Sequence, residues 1–122
     1  MTPASAEALR SQGRVHHVGS LERIPIGEGR TFVLGDERVA VFRTRAGEVF
    51  AVQADCPHRG GPLADGLTGE GKVMCPLHAY AFDLSTGEPV RNPCAALRTY
   101  EVSVQPGGTL RIITHSDAAE SS

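Results

Sequence analysis

The sequence predicts an all-β fold of antiparallel strands, and three observations support this class. Runs rich in β-branched and aromatic residues recur along the chain, most clearly within residues 30–52. Turn sequences such as Gly35-Asp36 and Ala46-Gly47 separate these runs at short intervals, as in hairpins. Residues 38–43 and 48–52 are apolar at both alternating sets of positions, which favours central strands covered on both faces. We therefore expect an antiparallel β-sandwich base.

The individual strands follow from the same signals, taken in chain order. We expect strands at residues 14–19, 30–34, 38–43, 48–52, 72–74, 80–84, 97–104 and 109–113. Alternation within 97–104 predicts that Tyr100, Val102 and Val104 face inward. The last two strands should form a hairpin, because a Pro-Gly-Gly turn separates them.

The length and the two ends of the chain indicate its domain organisation. A chain of 122 residues fits one domain. Residues 1–13 are small and polar, and residues 114–122 are polar, so we expect two mobile tails around a single domain at 14–113.

Composition argues against several classes of partner. The net charge is −2, the pI is about 6.2 and no run of Lys and Arg occurs. The chain therefore lacks the clustered positive charge that is typical of nucleic-acid-binding proteins. No membrane-spanning apolar run or signal-peptide layout is visible. The odd count of three cysteines suits a reducing compartment better than a disulfide framework. We expect a cytoplasmic protein with neither nucleic-acid nor membrane partners.

One stretch gathers four candidate metal ligands in two short loops. Cys56-Pro57-His58 and Cys75-Pro76-Leu77-His78 each offer one thiolate and one imidazole. The prolines fix φ and the Gly60-Gly61 pair permits positive φ, so the loops should be stiff and tightly folded. The residues between them can run out as a strand, turn through Asp65-Gly66 and residues 69–71, and return as a strand at 72–74. Both loops would then lie at the tip of one sheet layer.

The order of the ligands distinguishes the metals that these loops could bind. Zinc sites with two Cys and two His usually place like ligands together, whereas here each loop mixes them. One Cys and one His from each of two loops is the arrangement of a Rieske [2Fe-2S] cluster. We expect Cys56 and Cys75 to ligate one iron, and His58 and His78 the other. A zinc-stabilised binding module without a redox role is a further hypothesis.

The motif Cys-x-His-x16-Cys-x2-His, with Pro after each Cys, resembles the Rieske ferredoxin family. Residues 24–30, 56–67 and 73–88 are similar to the small subunit of bacterial NAD(P)H-dependent nitrite reductase, and the likeness covers roughly 16–113. Residues 92–97 resemble instead the ferredoxins that feed aromatic-ring dioxygenases. The resemblance implies a Rieske-type fold, in which a small β subdomain at about 54–84 carries both ligand loops on the sandwich base.

The resemblance also implies a function. One [2Fe-2S] cluster would transfer single electrons to or from a partner that converts the substrate. The first choice is the large flavin and sirohaem subunit of an assimilatory nitrite reductase, which reduces nitrite to ammonium. The alternative partner is a dioxygenase with its reductase. No Gly-rich phosphate loop is present, so we expect no substrate-converting site in this chain.

Three further expectations concern the two ligand loops, Cys94 and residues 88–93. Respiratory Rieske proteins have an additional Cys in each loop, where this chain has Gly61 and Leu77, so the resemblance implies no disulfide between the loops. Cys94 lacks a partner at ligand spacing, and we expect it to pack in the core. The proline-marked residues 88–93 are our candidate for a third loop over the cluster.

Overall fold

A computed structural model describes residues 14–57, 61–76, 80–92 and 94–114. Two 3-10 turns, Leu21–Arg23 and Leu63–Asp65, accompany the strands in these ranges. The strands are β1 (Arg14–Ser20), β2 (Glu28–Leu34), β3 (Glu37–Arg43), β4 (Val49–Gln53), β5 (Leu67–Gly69), β6 (Lys72–Met74), β7 (Ala81–Asp83), β8 (Pro89–Val90), β9 (Thr99–Val104) and β10 (Thr109–Thr114). All paired strands are antiparallel, which confirms the predicted all-β class.

The larger sheet has six strands in the order β1-β10-β9-β4-β3-β2. Residues from both of its halves meet in one buried group, so the sheet curls around that group and supplies the two layers of the expected base. We call this group the outer cluster; its members are Ile24, Leu34, Val39, Val41, Ala51, Leu110 and Ile112.

The smaller sheet has four short strands in the order β5-β6-β7-β8, and it covers the other face of β3 and β4. A second buried group lies at this junction. We call it the inner cluster; its members are Ala40, Phe42, Val52, Ala54, Cys56, Leu63, Val73, Cys75, Phe82, Leu84 and Leu97. Consecutive residues of β3 alternate between the two clusters, which confirms the prediction that this strand is covered on both faces.

Two sequence-based expectations about single segments were wrong. Val104 is 42% exposed, because it ends β9 beside the hairpin turn and lies beyond the outer cluster. Pro89 and Val90 form the edge strand β8 rather than loop, paired with Phe82 and Ala81. Proline is tolerated on an edge strand, where no neighbour needs its missing N–H.

Several expectations fall outside the described ranges. The tails expected at 1–13 and 114–122 lie there, except for Thr114, which ends β10 and is buried. No helix in the described ranges has the length and apolar character needed to cross a membrane.

Candidate metal centre

The structure brings two of the four predicted ligands into one environment. Cys56 and Cys75 are each 2% exposed, and both belong to the inner cluster. Neither they nor Cys94 forms a disulfide. His58 and His78 lie outside the described residues. The described half of the predicted site is thus a pair of buried thiols in an apolar setting.

The first ligand loop is closed by backbone hydrogen bonds at its base. The Cys56 N–H donates to the carbonyl oxygen of Gly61 at 2.8 Å, and Asp55 and Pro62 form an isolated β-bridge. The Leu63 N–H donates to the carbonyl oxygen of Ala54 at 2.9 Å. This loop leaves β4 of the larger sheet and leads into β5 of the smaller one.

The second ligand loop is the tip of the β6–β7 hairpin. The Cys75 N–H donates to the carbonyl oxygen of Tyr80 at 2.8 Å, directly above the paired residues Met74 and Ala81. The half-buried Tyr80 side chain packs against the inner cluster. The hairpin therefore fixes where Cys75 leaves the sheet.

A glycine allows the chain after the first loop to pass close to the second. A Cβ atom at Gly66 would lie 2.1 Å from the carbonyl oxygen of Met74, the residue before Cys75. Leu67, Met74 and Ala81 are aligned across β5, β6 and β7, so both connections reach the same end of the smaller sheet. The sequence signal at Gly66 indicated only a turn; the close approach was missed.

Behind the second loop, Asn92 fixes the segment that follows β8. Its Nδ2 donates to the carbonyl oxygens of Ala81 at 2.9 Å and Val90 at 3.2 Å. Its Oδ1 accepts from the Cys94 N–H at 3.0 Å. Cys94 is half-buried and packs against the inner cluster; Pro93 lies outside the described residues. Part of the expected third loop is thus fastened to the strand that follows the second ligand loop.

Gln53 makes a comparable connection behind the first loop. Its Nε2 donates to the carbonyl oxygen of Asp55 at 2.7 Å, and its Oε1 accepts from the Arg98 N–H at 2.8 Å. Sequence reasoning missed Gln53 and Asn92. An Asn before Pro is a recognisable turn signal, whereas a Gln at the end of a strand carries no comparable signal.

One ion pair adjoins the first loop, whereas the carboxylate of Asp83 lies at the end of β7 away from the second loop. Arg38 Nη1 lies 3.0 Å from Asp55 Oδ1, but both side chains are about half exposed, so this ion pair contributes little stability. The pKa of Asp83 is lowered mainly by the hydrogen bond that the Ser85 hydroxyl donates to Asp83 Oδ1 at 2.6 Å. The backbone N–H groups of Ser85 and Thr86 lower this pKa further, and they order the turn after β7.

The donor chemistry of the described residues fits a soft metal centre. Thiolates favour zinc, copper(I) and iron–sulfur clusters over hard cations. Cys56 and Cys75 form no disulfide, belong to the same buried cluster, and each lies on a loop closed at its base. A histidine follows each cysteine in the sequence at one or two intervening residues.

Comparison with known proteins identifies a family that includes this chain. A family model described as the Rieske [2Fe-2S] domain matches residues 14–101. The anthranilate 1,2-dioxygenase ferredoxin subunit of Burkholderia cepacia is 32% identical over 93 residues, which cover 75% of this chain and 85% of that subunit. Apoptosis-inducing factor 3 of Mus musculus is 38% identical over 77 residues, 63% of this chain but only 12% of that protein.

A solved structure also has this fold. It belongs to a protein from Mycobacterium tuberculosis assigned as the small subunit of NADH-dependent nitrite reductase. The TM-score is 0.78 at 25% sequence identity, and the match covers 84% of this chain and 96% of the other.

Proposed function

The chain belongs to the Rieske [2Fe-2S] domain family, and we propose that it is the small, electron-carrying subunit of an assimilatory NAD(P)H-dependent nitrite reductase. Family membership implies one [2Fe-2S] cluster and an electron-transfer role of the ferredoxin type. When bound, a Rieske cluster supplies reversible one-electron transfer at a higher potential than an all-cysteine ferredoxin.

We propose Cys56 and Cys75 as the ligands of one iron, and His58 and His78 as the ligands of the other. The burial of both thiols within one cluster supports this assignment. An apolar shell limits the access of water to the sulfur atoms and lowers the local dielectric constant, two factors that set the reduction potential. We further propose that residues 14–113 act as one electron-transfer domain.

The choice of a nitrite reductase depends on one observation. The structural match with the M. tuberculosis protein has a TM-score of 0.78, against 0.74 for the ferredoxin of carbazole 1,9a-dioxygenase from Nocardioides aromaticivorans. In this proposal, NAD(P)H oxidation and the reduction of nitrite to ammonium take place on a large flavin and sirohaem subunit. The role of this chain is to present a cluster, held by its two loops, to that subunit.

A second candidate function has its own support. The relative from Burkholderia cepacia is a dioxygenase ferredoxin subunit, and 85% of its length is covered at 32% identity. In this alternative, the chain would receive electrons from a reductase and donate them to the oxygenase of an aromatic-ring dioxygenase.

Direct electron transfer separates the two functions. The holoprotein, reduced with dithionite and freed of excess reductant, would be mixed in a stopped-flow instrument with the sirohaem subunit or with an oxygenase component from the same organism. We expect rapid oxidation by the sirohaem subunit in the presence of nitrite and slow oxidation by the oxygenase. The reverse order would establish the alternative. A protein with one zinc and no acid-labile sulfide would contradict both.

A further inference from the structure

We propose that Gln53 and Asn92 are positioning residues that fasten the two ligand loops to one shared segment. This connecting segment consists of residues 91–92 and 94–98. The inference rests on the proposed function, because it assigns these amides a role in holding a cluster between the loops. It goes beyond the ligands themselves and concerns what keeps their two loops in register.

Gln53 joins the first loop to the C-terminal end of the connecting segment. Its amide is half-buried and uses both polar atoms, one toward Asp55 and one toward Arg98. The Gln53 N–H also donates to the carbonyl oxygen of Arg98 at 2.9 Å. Asp55 directly precedes the ligand Cys56, so a shift of the Gln53 amide would be passed to the ligand through one peptide unit.

Asn92 joins the second loop to the other end of the same segment. Its carboxamide bridges Ala81, the first residue of β7, and Cys94. Ala81 lies directly after Tyr80, whose carbonyl oxygen accepts the hydrogen bond from Cys75. The contacts of Asn92 therefore reach the base of the second ligand loop.

The connecting segment is itself fixed, which allows it to hold both loops. The Leu97 side chain is buried in the inner cluster, and its N–H donates to the carbonyl oxygen of Gly87 at 2.6 Å. None of the three cysteines forms a disulfide, so no covalent bond between cysteines joins the loops. Two half-buried amides attached to one anchored segment can supply that connection by hydrogen bonds.

The test compares the rate of iron loss from holoprotein variants. Gln53→Ala, Asn92→Ala and the double variant would be incubated anaerobically with a ferrous-iron chelator, and iron release followed by absorbance. Contacts behind metal ligands typically affect metal affinity by about 10- to 100-fold. We expect each single variant to release iron about 10-fold faster than the wild type, with a broader EPR signal from a less uniform cluster.

Two controls separate positioning from general destabilisation. Gln105→Ala removes an amide that donates to Ser103 Oγ at 3.0 Å within the β9–β10 hairpin, and it should leave iron release unchanged. Ile112→Val weakens the outer cluster on β10, away from β3 and from any predicted ligand, and it should lower the unfolding temperature without broadening the EPR signal. Release from the Gln53 and Asn92 variants at the rate of either control would overturn the inference.

Conservative variants keep the test decisive if an alanine variant fails to fold. Gln53→Glu and Asn92→Asp retain the accepting oxygen but lose the N–H donors to the neighbouring carbonyl groups. They should release iron faster than the wild type but more slowly than the alanine variants. Release at the wild-type rate would contradict the role of the side-chain N–H donors. If the wild type has an intact cluster and the variants release iron at the wild-type rate, only this inference is refuted. A wild-type protein without a [2Fe-2S] cluster would refute the proposed function as well.

Discussion

At the scale of single residues, the three cysteines are distinguished by their surroundings. Cys56 and Cys75 are buried members of the inner cluster, each on a loop closed by a hydrogen bond from its own N–H. Cys94 is half-buried at the edge of the same cluster, and its N–H bonds to the Asn92 side chain. We expected Cys94 to pack in the core; it packs against the core but is only half-buried, and its lack of a redox role stays a prediction.

Serine substitution should separate the three cysteines. We expect Cys56→Ser and Cys75→Ser to lose most of the bound iron and acid-labile sulfide, because a serine hydroxyl is a poor substitute for a thiolate ligand. Cys94→Ser should keep two irons and two sulfides per chain, as the wild type does. Chemical analysis of the purified variants measures both. Loss of the cluster from Cys94→Ser would make Cys94 a candidate ligand.

At the scale of elements, the turn between β7 and β8 joins the smaller sheet to the connecting segment through Gly87. Its φ is +81°, and a Cβ atom there would lie 2.3 Å from the carbonyl oxygen of Leu97. Its own carbonyl oxygen accepts the Leu97 N–H, so the two backbones cannot separate without breaking that bond. Only glycine meets both conditions at this position.

Alanine at Gly87 should therefore cost more stability than alanine at a glycine with a similar φ and open surroundings. Gly47 is such a control, since its φ is +88° and a Cβ atom added there would meet nothing within 4 Å beyond its chain neighbours. Gly87→Ala should lower the free energy of unfolding by about 1–3 kcal/mol more than Gly47→Ala does, owing to the added steric conflict. Urea unfolding of both variants measures the difference; equal losses would mean that the turn relaxes freely.

At the scale of the whole molecule, β3 couples the two clusters. Val39 and Val41 belong to the outer cluster, whereas Ala40 and Phe42 belong to the inner one, and all four are fully buried. The smaller sheet, whose strands have two or three residues, packs against this shared strand. β3 therefore supports the predicted metal centre on one face and contributes to the outer cluster on the other.

Substitutions in β3 should consequently lower the stability of the molecule as a whole. Val41 is fully buried, and Val41→Ala should lower the free energy of unfolding by about 2 kcal/mol. Val33 in the neighbouring β2 is 71% exposed, and Val33→Ala should change it by less than about 0.5 kcal/mol. Denaturant unfolding of the two variants provides the comparison. Similar losses would contradict the central position of β3.

The sequence by itself determined the all-β class, the positions of most strands and the identity of the cysteine and histidine motif. These properties depend on neighbours along the chain. Alternating side chains define strands, glycine-containing pairs define turns, and the spacing of Cys56 and Cys75 defines a ligand pattern. The exposure of Val104 was mispredicted because alternation gives the face of a strand but not the end of the core beneath it.

Only the tertiary structure decided which distant segments meet. Gln53 contacts Arg98 across 45 positions of sequence, and Gly87 passes against Leu97 through a backbone contact that no side-chain pattern records. The first ligand loop begins on the larger sheet and the second lies on the smaller one, so their placement depends on how the two sheets pack around the inner cluster. Such contacts depend on burial and chain topology together, and a local sequence pattern gives no information on either.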